Sequence, residues 1–221
     1  MKLKTKFNTD FGNLYCCSDL HLGHSNILKI NSSTRGHWAT VEEMNVWIES
    51  NVWGKLKPGD VLFDLGDTFW KQDDSNIIKI FDEIPKGVKL YKIIGNHDTY
   101  GLYYGEQAKL RDKYEVISDI LDINVHHKGK DYMLSLCHYP LVSWNHKPYG
   151  SFMIHGHCHG NIDEFNNNSV DLRLDVGMDG DLCRKYGQPM IDFQKILDYF
   201  KEKIGGSEDF LKYVKTNSYN L

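Results

Sequence analysis

The sequence predicts an α/β fold, and three observations carry that prediction. In its first half, short apolar strands alternate with amphipathic helical segments. Each of those strands ends in a polar cluster containing Asp, His or Asn, which gives the sheet one functional edge. Beyond Lys113 the texture changes to shorter strand-like runs that suit an antiparallel or mixed arrangement. With 221 residues the chain can build one sizeable core and is short for two, so residues 1–221 are read as a single domain. Hydrophobic residues at 41% and charged residues at 25% exclude a disordered chain.

Asn13 to Ser18 reads as the first strand and runs into Asp19-Leu20-His21-Leu22-Gly23-His24. Residues 31–38 hold turn formers together with Arg35 and Trp38. Thr40-Val41-Glu42-Glu43 then has the pattern of a capping box, in which hydroxyl and carboxylate satisfy the free N–H groups of a helix start. Met44, Trp47, Ile48 and Val52 follow at helical spacing until Pro58-Gly59 breaks the pattern. Asp60 to Leu65 is the second strand and ends in Gly66-Asp67-Thr68. Ser75 to Ile84 reads as a helix halted by Pro85, and Val88 to Ile94 is the third strand, delivering Gly95-Asn96-His97-Asp98. A helical stretch around Gln107 to Lys113 precedes strand-like runs at 116–118, 120–126, 132–137, 152–155 and 172–176. Lys128-Gly129-Lys130 suits a hairpin turn, and Asn166 to Asn168 a polar loop tip. Asp192 to Lys203 and Ser207 to Lys215 read as closing helices separated by Gly205-Gly206.

The formal net charge is only −4, with both signs interspersed, so nothing resembles the positive footprint of a nucleic-acid binder. Lys195, Lys201, Lys203, Lys212 and Lys215 read as a solvated helix face. No apolar run approaches transmembrane length, and the first fifteen residues lack the apolar stretch of an export signal. Five cysteines, an odd number lying mostly in or beside apolar or His-rich runs, suit reduced buried thiols. A cytoplasmic protein without a membrane partner is expected. The pattern specifies no oligomeric state.

The chemistry gathers at the strand ends: Asp19 and His21, then Asp67, then Asn96 to Asp98, then His138, and finally His157 and His159. In an extended segment, residues two apart point the same way, so Asp19 with His21 and His157 with His159 are each suited to grip one ion. Without His97 and Asp98 the set comprises seven oxygen and imidazole donors and needs no thiolate. It suits Mn first, with Fe, Zn or Ni as alternatives. Two divalent ions with two carboxylates leave a positive balance for an anionic phosphate. Ions roughly 3.5 to 4 Å apart can hold and acidify a bridging hydroxide. His97 can move a proton near neutral pH, and Asp98 beside it can hold the imidazole in one orientation. His24 and Arg35 either clamp substrate phosphate or make structural hydrogen bonds. His155 would crowd the ions as a further ligand and is expected to be buried in support, while Cys158 packs as an inert thiol. Trp38, Trp70, Tyr100, Tyr103, Tyr104 and Trp144 could stack a nucleobase, core or rim packing being the commoner use.

D-x-H at 19–21, G-D at 66–67, G-N-H-D at 95–98, H at 138 and G-H-x-H at 156–159 resemble, in order, the five motifs of the calcineurin-like metallophosphoesterases. Ser18 to Ile27, Val41 to Asn45, His138 to Leu141 and Asp175 to Asp179 resemble a group of small bacterial and phage phosphoesterases. The resemblance implies a four-layer αββα fold, with two facing mixed sheets flanked by helices and metals between the strand ends. It also implies that Asp19, His21 and His159 hold one divalent ion, Asn96, His138 and His157 the other, and that Asp67 bridges them. His97 would contact phosphate and protonate the leaving oxygen, oriented by Asp98.

The expected function is therefore hydrolysis of a nucleotide, cyclic nucleotide or other small phosphoester by a dinuclear metal-activated hydroxide, as a phosphatase or phosphodiesterase. Protein serine/threonine phosphatases share these motifs, but Asp98 stands where that branch has Glu. A nuclease is disfavoured by the charge. A metal-binding scaffold without turnover is opposed by the presence of every motif residue, His97 included.

Overall fold

Two five-stranded β-sheets face each other in the computed structural model, which describes residues 2–70, 74–98, 103–104 and 108–206. The expected helix Ser207 to Lys215 lies outside the described residues, as do Tyr100, Gln107, Lys212 and Lys215. In chain order the strands are β1 (Lys2–Asn8), β2 (Leu14–Cys17), β3 (Val61–Asp64), β4 (Lys89–Ile93), β5 (Val116–Ser118), β6 (Ile120–His127), β7 (Lys130–Cys137), β8 (Phe152–His155), β9 (Arg173–Asp175) and β10 (Ile191–Asp192). The helices are α1 (Ile27–Ile30), α2 (Ser32–Arg35), α3 (Val41–Asn51), α4 (Asp74–Asp82), α5 (Asp163–Asn168), α6 (Asp181–Tyr186) and α7 (Phe193–Lys203).

The first sheet has the order β10-β2-β3-β4-β5, with β2 to β5 parallel and β10 antiparallel on the edge. Parallel strands send their carboxyl ends to one edge, so Cys17, Asp64 and Ile93 hand the chain to the three motif turns side by side. The second sheet has the order β1-β6-β7-β8-β9. Only β6 and β7 are antiparallel within it; they join through Lys128-Gly129, both at positive φ as a two-residue hairpin turn requires. Both sheets are mixed and helices flank them, the architecture expected.

Between the sheets lies one apolar cluster, with Phe63, Tyr91 and Ile93 from the first sheet and Ile123, Leu134, Leu136 and Phe152 from the second. Phe7 of β1 adds an edge-to-face pair with each of Phe63 and Tyr91 at 5.2 Å, and Phe193, Ile196 and Phe200 of α7 close the cluster. A second cluster, in which Met44 and Ile48 of α3 meet Leu62, Leu90 and Phe69, covers the outer face of the first sheet. The start of α3 is capped by Thr40 Oγ1, which accepts from Glu43 N–H at 3.2 Å. Glu43 Oε2 accepts from Ala39 N–H at 3.0 Å, one residue further out than the capping box predicts.

The structure adds elements that the sequence pattern does not show. Residues 32–35, within the stretch read as turn formers, form the single-turn helix α2 directly after α1, and the expected loop tip at 166–168 belongs to α5. Segments of four to six residues are too short for a 3.6-residue period to register. Among the described residues of the Gln107 to Lys113 stretch, Arg111–Lys113 forms one 3-10 turn. No helix among the described residues is long and apolar enough to cross a membrane.

Candidate metal centre

The chain leaves its strands before it delivers the candidate ligands. Asp19, His21, Asp67, His157 and His159 all carry positive φ, between 50 and 68°. Strand alternation therefore does not aim them, contrary to the reason given by the sequence pattern; left-handed turns do. Asp and His are among the few non-glycine residues enriched there, and each such position costs on the order of 1–3 kcal/mol that the surrounding fold must outweigh. The motif glycines serve the same turns. A Cβ on Gly95 would be driven into Asp67, and one on Gly156 into Ser18 and Asp19.

Two groups of donors converge. Asp19, His21 and His159 form one and Asp19, Asp67 and His138 the other, with ligand atoms within 4.8 Å of one another in each. Asp67 stands between them: its Oδ2 is 3.9 Å from His21 Nε2 and 3.4 Å from His138 Nε2, while Oδ1 accepts the His97 N–H at 2.8 Å. Asn96 Oδ1 is 3.1 Å from His138 Nε2, and the His157 ring packs 5.1 Å from the His138 ring. The His159 ring instead stacks on His21 at 5.1 Å, with Nε2 3.8 Å from Asp19 Oδ1. His157 and His159 thus face different groups, which corrects the expectation from alternation that they grip one ion together.

Buried partners orient the imidazoles. His138 Nδ1 is 2.8 Å from Leu65 O and His159 Nδ1 is 2.7 Å from Asp179 Oδ2, so with the proton on Nδ1 each Nε2 turns its lone pair to the carboxylates. Burial, reinforced by the Arg35 charge, lowers the His21 pKa to about 3, leaving a neutral ring. Burial and the neighbouring Asp175 raise the Asp19 carboxyl to about 7. Burial also works to raise Asp67, but the His138 ring 3.4 Å away and the His97 N–H outweigh it and hold the carboxyl at about 2. Both ring nitrogens of His21 and Asp67 Oδ2 are buried without a hydrogen-bond partner. Each such orphan costs about 1–3 kcal/mol, and a divalent cation between them would satisfy His21 Nε2 and Asp67 Oδ2 together. The donor set fits the metal that the motifs imply.

The structure corrects two further sequence expectations. Asp98 does not orient the His97 imidazole. Its carboxylate turns inward and accepts from the N–H groups of Gly95 (2.8 Å) and Asp67 (3.1 Å), from Tyr103 Oη (3.3 Å), and pairs with Lys92 Nζ (3.0 Å). In so tight a turn the short Asp side chain is drawn to nearby backbone donors. His97 is left exposed, its ring 4.7 Å from Trp70 and 5.6 Å from His21. Arg35 is the second correction: it is fully buried, so its role is structural and not substrate contact. Nε and NH2 hold Asp179 at 2.9 and 2.7 Å, NH1 reaches Leu20 O and NH2 reaches Asp19 O.

His24 lies half-buried, its ring stacked on Trp70 at 4.0 Å. His155 is buried with Nδ1 on Gly156 O, the supporting place expected of it. Burial pushes the Cys158 thiol up to about 12, so it is unreactive. Tyr103 and Trp144 are core residues, and Trp38 packs half-buried on His37 and Trp47.

Sequence reasoning missed Asp179, which accepts from Asn31, Thr34, Arg35 and His159 at the back of the centre. It also missed Asp64 and Lys92, buried on strands β3 and β4. The available signal was charge in the wrong place: an aspartate just past the strand-like run 172–176, and Asp and Lys inside strand patterns.

A sequence profile of the calcineurin-like phosphoesterases matches residues 12–191, a span that holds every donor described above. The chain belongs to this family. Membership brings metal-dependent phosphoester hydrolysis, and the Asp and His groups of this calcineurin-like phosphoesterase could hold the metal. Among solved structures it is similar to a protein of unknown function from Aquifex aeolicus, with 23% identity and a TM-score of 0.58 over 85% of this chain and 98% of that one. That likeness shows the shared fold. A search of curated proteins finds no match.

Proposed function

We propose that this phosphoesterase holds two divalent ions, Mn foremost, and hydrolyses a small phosphoester such as a nucleotide or cyclic nucleotide. Asp19, His21 and His159 would hold one ion and Asn96, His138 and His157 the other, with Asp67 shared. The observation that carries this reading is Asp67 Oδ2, buried and unpaired between His21 Nε2 and His138 Nε2. When bound, such ions acidify a water and neutralise charge on phosphoryl oxygens. The chain supplies the rest. Leu65 O and Asp179 keep protons on Nδ1 of His138 and His159, so that Nε2 stays basic. His97, exposed beside Trp70, would as the imidazolium give its proton to the leaving oxygen and be left as neutral imidazole. Charge of both signs over the whole sequence favours a small substrate over a nucleic-acid polymer. All five cysteines are free thiols, which supports a reducing cytoplasmic setting.

Protein stripped of metal with a chelator is expected to be inert toward a chromogenic phosphate ester and to regain activity when Mn is added back. Activity that survives exhaustive chelation would sink the reading. A panel of nucleotides set against phosphopeptides then separates small-molecule from protein phosphatase activity.

A further inference from the structure

Lys92 sits within β4 with its side chain wholly buried, a rare environment for an ammonium. Its Nζ donates to Asp64 Oδ2 at 3.0 Å and to Thr68 Oγ1 at 2.6 Å, and forms an ion pair with Asp98 Oδ2 at 3.0 Å. The two carboxylates continue outward to the motif turns. Asp64 accepts from Gly66 N–H at 3.0 Å and from the Thr68 hydroxyl at 2.6 Å, on either side of Asp67. Asp98 accepts from Gly95 N–H at 2.8 Å and from Asp67 N–H at 3.1 Å. One buried cation therefore braces both the turn that presents Asp67 and the turn that presents Asn96 and His97. Stability alone gives little reason for it, since well-packed apolar residues in place of a buried ion pair are often neutral or stabilising.

We propose that Lys92 is a positioning residue: through Asp64 and Asp98 it sets the separation of the Asp67 turn from the Asn96–His97 turn, and with it the spacing of the two ions. This rests on the two-ion reading above. With its ammonium enclosed by Asp64, Thr68 and Asp98 and its side chain inaccessible, Lys92 touches neither ion nor substrate.

The test is a Mn titration of the metal-free protein, followed by electron paramagnetic resonance and paired with thermal unfolding. Lys92→Met combined with Asp64→Asn removes one buried cation and one buried anion together. The folded double variant is expected to bind Mn about tenfold or more weakly, the usual cost of losing a partner behind a metal ligand. Its kcat on a chromogenic ester should fall with KM little changed. Thr68→Val, which cuts the direct bond from Lys92 to the Asp67 turn while keeping side-chain shape, should weaken Mn binding in the same direction and decides the matter if the double variant does not fold. Tyr114→Phe removes a hydroxyl 3.3 Å from Asp64 in the same buried cluster and should keep wild-type affinity. Wild-type affinity in the folded double variant, or in Thr68→Val should the double variant not fold, overturns the inference. An equal loss in Tyr114→Phe overturns it too, and either result leaves the two-ion reading standing. A wild-type protein that binds no Mn removes both.

Discussion

Asp179 Oδ2 lies 2.7 Å from His159 Nδ1, and the same carboxylate is clasped by the buried guanidinium of Arg35. Burial would raise that carboxyl, but the bonds from His159 and Arg35 outweigh it and hold it well below the ordinary carboxylate range. A permanent anion behind an imidazole fixes its tautomer and raises the basicity of the nitrogen on the far side.

Replacing that anion should therefore weaken the metal site without touching it. Asp179→Asn keeps the shape and an acceptor oxygen, and it is expected to lower Mn affinity about 10- to 100-fold. Isothermal titration of the metal-free protein measures this, and affinity equal to wild type would contradict the role given to Asp179. Either Asn or Ala leaves the buried Arg35 without its anion, at a cost of about 3–5 kcal/mol, but Ala also removes the acceptor oxygen, so affinity is compared on the folded Asn variant.

Asp67 should matter to ion capture itself. Saturating Mn is expected to raise the unfolding temperature of the wild-type protein, by the equivalent of about 2.7 kcal/mol at a hundred times the dissociation constant. Asp67→Ala should show no such rise, because the oxygen shared by His21 and His138 is gone. Differential scanning fluorimetry with and without Mn reads both; a full Mn-induced shift in the variant refutes a shared role.

His97 and Asp98 should part company under mutation. His97→Ala is expected to keep the Mn-induced shift and lose about 10²- to 10⁴-fold in kcat, the usual worth of a positioned proton donor. Asp98→Asn should instead weaken Mn binding, because its carboxylate holds the Gly95 and Asp67 amides and not the imidazole. Identical metal affinities in the two variants would undo that distinction.

Asp163, away from the donor groups, supplies a pH signature. Burial first, then Asp175 and Asp181, raise its folded pKa to about 7, above the unfolded value of 3.8. Between those values the native state binds the proton more tightly, so this group's contribution to stability is present below about pH 4 and is lost as pH rises to about 7. Asp163→Asn, whose amide oxygen can still accept from Asp181 N–H, should therefore gain stability relative to wild type at pH 8 compared with pH 5. Urea midpoints at the two values test the sign; a larger relative gain at pH 5 would refute it.

The parts of the fold legible in the sequence are those with local causes. The first three strands of the parallel sheet announce themselves as apolar runs, and α3 by its capping threonine and helical spacing. β1 was not legible, because Lys2-Leu3-Lys4-Thr5-Lys6 gains its strand identity only by pairing in parallel with β6, more than a hundred residues away. Lys6, exposed on that strand, is the kind of residue a sheet edge carries to discourage further pairing. In the site, residue types at strand ends brought out the donors but misjudged directions. The inward turn of Asp98 follows from backbone N–H groups that only the folded Asp67 turn provides. The clasp of Arg35 on Asp179 joins positions 144 residues apart, which no local pattern encodes.

The five left-handed residues of the centre have a consequence for how the site could change over evolutionary time. Asp19, His21, Asp67, His157 and His159 answer to two demands at once, a donor atom and a tolerance of positive φ. Glutamate or cysteine could meet the first demand, yet both sit poorly in that backbone, so an exchange of ligand would have to reshape a turn as well as a side chain. Preference for another metal is then more accessible through the residues standing behind the donors, Asp179 and Lys92 among them, where the backbone is under no such constraint.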